Sequence, residues 1–226
     1  MRESGVVTRG LFVTFEGIEG CGKTTQMNRA ADWLRARGHA VLTTREPGGT
    51  ALGRRIRHAL LHAREDVEAG AELLLMVGDR RQHLVETIEP ALAAGTAVLC
   101  DRYADSSRAY QGAGRGLGEA AVDELHRRWC PRVPDRTYLF DCPVEVALRR
   151  VAGRKDHGRE TIDKFEREEI AFHRRVRTAY RRRVRKEPRR FRILDAKGTP
   201  DAVFARLERD LQALFAPGRG RAGKRG

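Results

Sequence analysis

Residues 17–24, GIEGCGKT, match the spacing G-x-x-x-x-G-K-[ST]. Residues of these types at this spacing hold phosphate: glycines let backbone N–H groups approach the anion, the lysine adds a charge and the hydroxyl can ligate magnesium. The pattern means little without its context, which is present here. LFVTF before it reads as a strand and TTQMNRAADWL after it as a helix. The loop amides and the helix N-terminus then face one anion, with Lys23 toward its terminal phosphates and Thr24 toward the metal. Two further stretches carry chemistry. In CDRYADSSRAYQG, Asp101 ends an apolar run, where a carboxylate can meet the same magnesium, and Arg102 follows it as a phosphate cation. In TREPGGT, Pro47, Gly48 and Gly49 force an irregular loop that turns Arg45 and Glu46 toward the same sheet edge.

Five β-rich runs must position these residues: 11–15, 40–44, 96–101, 136–141 and 191–195. Helical patterns separate them, which predicts a three-layer α/β/α domain with a five-stranded parallel sheet. Ligands of such sheets bind at the carboxyl ends of the strands, where all three motifs fall. The first helix is expected from Thr24 to Gly38, with Gly38 as its C-terminal cap. A long helix is expected over 68–94, with Leu73, Val77, Leu84 and Ile88 on one face and a polar GDRRQH in its middle. Thr199 and Pro200 open the last helix. Residues 142–190 read as mostly helical, broken by AGRKDHGRET (152–161), a basic lid. The expected division is an N-terminal extension at 1–10, one domain at 11–215 and a basic, disordered tail at 216–226.

Composition narrows the function classes. The chain has 226 residues and a net charge of +14. Residues 174–192 hold eleven Arg/Lys against one Glu, and the tail adds four more, so these two stretches account for the whole excess. That distribution reads as a solvated helix face plus a tail and implies no specific nucleic-acid partner. No apolar run is long enough for a membrane span, and MRESGVVTRG carries no signal-peptide core, so the expected location is the cytoplasm. Cys21, Cys100, Cys130 and Cys142 form no C-x-x-C pair and read as free thiols, with Cys21 as an inert small residue of the loop. His39, His58, His62, His83, His126, His157 and His173 show no metal-ligand spacing and read as surface or packing residues.

FEGIEGCGKTTQ, TREPGGT, LLLMVGDRRQH, CDRYADSSRAYQG and YLFDCPVEVALRR resemble, in order, the successive motifs of bacterial-type thymidylate kinases. The resemblance runs over about residues 11–215, and the pairing of EPGGT with the DRY stretch is its most specific part. It implies a P-loop NTPase fold with a helical lid, and transfer of the γ-phosphoryl of ATP to dTMP with magnesium. By position it implies that Gly17, Ile18, Glu19, Gly20, Cys21, Gly22, Lys23, Thr24 and Thr25 hold ATP, with Thr24 and Asp101 at the metal. Arg102, helped by Arg45, would grip the dTMP phosphate, and Arg80 would bond the thymine edge, with Ser107 beside it. Glu46, Met76 and Gln111 complete the acceptor site, while Tyr110 packs where a 2′-hydroxyl would stand. Lys23, Arg102, Arg154 and Arg159 are the implied catalytic cations, the last two in the lid. The resembled family is dimeric, which implies a homodimer.

Three positions depart from the resembled pattern: Met76 stands where Phe is common, Lys164 where Arg is usual, and Cys21 where Ala or Ser is usual. The chemistry suits this cast all the same. A monophosphate acceptor is already anionic, so the task is positioning two polyanions rather than removing a proton. A nucleoside kinase would instead need a carboxylate base, for which Glu16 or Glu46 are the nominal candidates. A non-catalytic P-loop module using the basic segment on nucleic acid is the alternative of a different class.

Overall fold

Each of the five β-rich runs forms a strand of one parallel sheet: β1 (Phe12–Glu16), β2 (Val41–Arg45), β3 (Ala97–Asp101), β4 (Arg136–Asp141) and β5 (Phe191–Asp195). The computed structural model describes residues 9–61, 67–155, 165 and 168–216, without the side chains of Arg154 and Lys155. The strand order is β2-β3-β1-β4-β5. Burial explains that order. All five residues of β1 are buried, and so are most of β3 and β4, as strands covered on both faces must be. The edge strands β2 and β5 are only partly covered.

The helices are α1 (Lys23–Arg35), α2 (Ala51–Leu61), α3 (Ala69–His83), α4 (Glu89–Ala93), α5 (Ala104–Ser107), α6 (Glu119–Trp129), α7 (Val144–Lys155), α8 (Ile170–Lys186) and α9 (Pro200–Leu214). Alternate residues of β1 serve opposite layers. Val13 and Phe15 join Ala30 and Leu34 of α1 and Leu207 and Leu211 of α9. Phe12 joins Leu73 and Val77 of α3, Leu92 of α4 and Val98 of β3. Each fully buried side chain of this kind contributes about 1.5–3 kcal/mol.

Several boundaries differ from expectation for local reasons. The strands β1, β2 and β3 begin one residue later than the apolar runs suggest. Helix α1 ends at Arg35, and the turn that follows satisfies its last carbonyls, with Gly38 at φ 82° and the His39 N–H on the Leu34 carbonyl. The long helix expected at 68–94 is continuous from 69 to 93 but widens into a π-turn at Leu84–Ile88. Pro90 follows one residue into α4 and has no N–H to continue the ordinary ladder. The break expected at 152 comes later, because α7 continues through Gly153 to Lys155. Residues 156–164, with Arg159 and Lys164, lie outside the described residues, as do 1–8 of the extension and 217–226 of the tail.

Candidate active site

The phosphate loop fills the turn between β1 and α1, as the pattern requires. Gly22 caps α1 with φ 90°, makes no side-chain cap, and no acidic residue follows in the first turn. The positive end of this helix therefore has no side-chain partner of its own, which suits it to an anion. Gly20 has a second reason to be glycine: a Cβ there would lie 2.1 Å from the Ala147 carbonyl of α7, so loop and helix meet backbone to backbone. Lys23 is buried and donates to the Ile18 carbonyl at 3.0 Å. Thr24 and Thr25 are exposed at the rim, while Ile18 and Cys21 are buried in the core. Burial pushes the Cys21 thiol up despite Lys23, which disfavours the thiolate.

Opposite the loop, the Thr24 hydroxyl donates to Asp101 Oδ2 at 2.6 Å. A hydroxyl and a carboxylate oxygen side by side at an anion-binding helix end are the hard ligands magnesium takes. The donor set thus fits the metal that the sequence implies.

Arg102 follows Asp101 in a left-handed conformation, φ 72°, which a non-glycine residue holds only under constraint. Its guanidinium supplies the constraint. Nη1 donates to the Gly17 carbonyl at 3.0 Å and Nη2 to Glu19 Oε1 at 2.6 Å. The Tyr110 hydroxyl donates to the other Glu19 oxygen at 2.7 Å. Burial opposes ionisation of Glu19, yet Arg102 and Lys23 together hold its carboxyl below the ordinary range. Loop and Arg102 therefore form one unit.

A cleft beside this unit is lined by Glu19, Glu46, Met76, Arg80, Arg102, Ser106, Ser107, Tyr110 and Gln111, together with Pro47, Arg57, Leu61 and Phe165. Arg80, on α3, is 2% exposed. It donates to Glu46 Oε2 at 2.6 Å, Ser107 Oγ at 3.1 Å, the Tyr103 carbonyl at 3.2 Å and His126 Nε2. Burial works against its charge, but Glu46 outweighs it and keeps the guanidinium protonated. The polar GDRRQH is thus a buried hydrogen-bonding face rather than a flaw in a core helix. Gln111 donates to Glu72 Oε1 at 2.8 Å.

Of the expected acceptor residues, Arg45 alone does not line the cleft: it ends β2 exposed, paired in register with Asp101. Arg154 and Arg159 are not placed, since neither side chain is described. Arg57, Leu61, Ser106 and Phe165 also line the cleft, and no motif in the sequence singles them out.

Three histidines read as surface or packing are fully buried: His83, His126 and His173. His83 bonds Glu46 Oε1 at 3.0 Å and Thr44 Oγ1 at 2.7 Å. Ligand atoms of Glu46, His83 and Cys100 lie within 4.8 Å of one another. Each already has a hydrogen-bond partner, including Cys100 Sγ on the Arg102 carbonyl. Glu16, a nominal base by sequence, is fully buried. It accepts from the Tyr103 N–H, Ser106 Oγ and Tyr180 OH, and burial with the Asp105 charge pushes its carboxyl up to about 7.

The basic segment is also less solvated than its composition implies. Arg190 binds Asp105 at 2.6 Å, and Arg183 reaches it at 3.4 Å. Burial opposes ionisation of Asp105, but these cations and Arg108 bring its carboxyl down to about 2. Part of the excess charge therefore anchors α5, which carries Ser107, to α8 and to the turn that leads into β5.

The family model described as thymidylate kinase matches residues 15–207 of this chain. A thymidylate kinase of Desulfosudis oleivorans is 47% identical, over 87% of this chain and 94% of its own. One of Thermomicrobium roseum is 49% identical, over 85% and 90%. Among solved structures, a thymidylate kinase of Ehrlichia chaffeensis superposes with a TM-score of 0.73 at 31% identity, over 90% of this chain and 99% of that one.

Proposed function

The chain belongs to the thymidylate kinase family, and from that premise we propose how its side chains divide the work of the dTMP kinase reaction. The reaction moves the γ-phosphoryl of ATP to a phosphate oxygen of dTMP and yields dTDP. The observation that carries the assignment is the attachment of Arg102 to the phosphate loop, through Gly17 and Glu19. A cation so held stands between a donor lying on the loop and an acceptor lying in the cleft.

Residues 17–25 hold the ATP phosphates, with the α1 N-terminus and Lys23 offsetting their charge. Thr24 and Asp101 would hold magnesium, which would supply a counter-charge to the phosphates of ATP. Arg102 grips the acceptor phosphate. Because that phosphate is anionic at neutral pH, no base has to act on it, and Glu16 and Glu46 are left to structure. Both are engaged by neutral or cationic donors, which supports that reading.

Arg80 and Ser107 bond the thymine edge, Met76 packs on the ring, and Tyr110 occupies the place of a 2′-hydroxyl. Gln111 and Glu46 support that wall. Arg45 acts from the rim, and Arg154 and Arg159 belong to the lid. A homodimer is supported by the outward side of α3 and the turn after it, where Leu74 and Val85 are 60% and 54% exposed. No described helix is long and apolar enough to cross a membrane.

The test is a product assay with ATP, magnesium and a panel of nucleoside monophosphates and nucleosides. dTMP is expected to be phosphorylated in preference to the rest. Transfer to thymidine but not to dTMP would move the chain to the nucleoside kinases.

A further inference from the structure

His126 sits on α6, outside the cleft lining, with 3% of its surface exposed. The one polar contact of its ring among the described residues is Nε2 with Arg80 Nη1. A guanidinium has only donors, so Nε2 must be bare and the ring proton must sit on Nδ1. Nδ1 is buried and has no hydrogen-bond partner among the described residues. Buried polar atoms are nearly always paired, so an imidazole held this way asks for a reason.

The donor inventory of Arg80 gives one. Of its five N–H groups, Nε goes to Glu46, the two on Nη1 to Ser107 and His126, and one on Nη2 to Tyr103. One N–H, on Nη2, is left without a partner among the described residues. We propose that His126 is a positioning residue for the acceptor: by accepting an Nη1 N–H it fixes the Arg80 plane, so that one donor remains to read a carbonyl of the acceptor base. A leucine of similar size would fill the same space but leave that N–H buried and unpaired, and the guanidinium could then turn to use it.

The ring's surroundings keep it in the accepting form. Burial comes first, then the charges of Arg80 and Arg108, with Arg183 adding and Asp105 opposing. Together they take the imidazole down to about 2, which favours the neutral ring that the contact with Arg80 requires.

The proposal rests on the reading of Arg80 as the base-reading residue, and its test separates the two. Steady-state kinetics of the full chain compare wild type, His126→Leu, His126→Gln and Arg80→Met, with dTMP and ATP varied in turn. His126→Leu is expected to raise KM for dTMP about tenfold, the scale of one buried hydrogen bond, with kcat and KM for ATP within about threefold. His126→Gln, whose Oε1 can stand where Nε2 does, is expected to recover most of the loss. A folded Leu variant with unchanged KM for dTMP overturns the proposal, as does a Gln variant as impaired as Leu. If Arg80→Met leaves KM for dTMP unchanged, the reading of Arg80 falls instead. Nitrogen NMR of the wild-type ring needs no variant to fold: the expected tautomer carries its proton on Nδ1 from pH 5.5 to 8, and a proton on Nε2 would refute the assignment.

Discussion

The two halves of the site hold charge by opposite means. On the donor side, an uncapped helix end and a single buried lysine stand beside an ion pair, Glu19 with Arg102, that is 11% and 17% exposed at the side chains. On the acceptor side, Arg80 and Glu46 are each 2% exposed at the side chain and bonded at 2.6 Å, with His83, Ser107 and His126 completing the shell. A backbone dipole binds any polyphosphate and needs little support, because its charges cannot be moved. A side-chain network discriminates, but only if every member is held, and it does nothing when one is loose. The difference teaches that function and stability should separate on the donor side and fall together on the acceptor side.

The largest effect expected is on Lys23. Lys23→Ala removes the buried charge that the proposed reading sets against the transferred group, and kcat should fall by about 10³-fold, in the range of deleted charge-stabilising donors. Its one strong internal bond is to the Ile18 carbonyl, so the thermal midpoint should move by only about 3 °C. A kcat within tenfold of wild type would erase the donor side of the comparison.

Glu46→Gln should behave in the opposite way. The amide can still accept from Arg80 Nε, but the charge that balances a buried guanidinium is gone. Breaking a buried pair from one side costs about 3–5 kcal/mol, and the retained hydrogen bond argues for the low end. That is a fall of about 10 °C in a chain of this size, accompanied by a raised KM for dTMP. If melting is unchanged while KM rises, the acceptor network is not holding the fold, and the contrast with the loop is weaker than drawn.

The same contrast decides what the sequence could reveal. The donor side is contiguous, so nine neighbouring residues and a strand-helix context disclose it. The sheet was legible too, because strands buried on both faces are near-continuous apolar runs and miss their true ends by one residue at most. The acceptor side gathers residues from 46, 76, 80, 102, 107 and 110; their motifs put Glu46 and Arg102 at one sheet edge, and only the resemblance to a family added 76, 80, 107 and 110. Their supports were invisible. ELHRRW on α6 looks like a solvated stretch, yet His126 points inward while His39 and His58 do not; periodicity shows which face is apolar and not which polar residue that face accepts. Likewise eleven positive charges in 174–192 gave no sign that Arg183 and Arg190 clasp a buried aspartate four residues past Asp101.

The smallest effect tests whether a capped helix end beside the loop shares in its work. Helix α9 begins as α1 does not: Thr199 Oγ1 accepts from the Ala202 N–H at 3.3 Å, and Pro200 takes the first turn. Its start is tied to α1, since Gln26 Nε2 donates to the Pro200 carbonyl at 2.8 Å and Arg29 pairs with Asp201 at 2.8 Å. Thr199→Ala should remove about 1 kcal/mol, or about 3 °C, as lost N-caps do. A shift of α1 could in principle travel from Gln26 to the loop. It is expected not to, because Gly20 seats the loop on α7 and Arg102 holds the Gly17 carbonyl, both independent of α9. KM for ATP should therefore stay within about twofold while the midpoint drops. Should KM for ATP rise in step with the lost stability, the donor side too would depend on remote side-chain support, and what divides the two halves would be distance along the chain rather than the way each holds its charge.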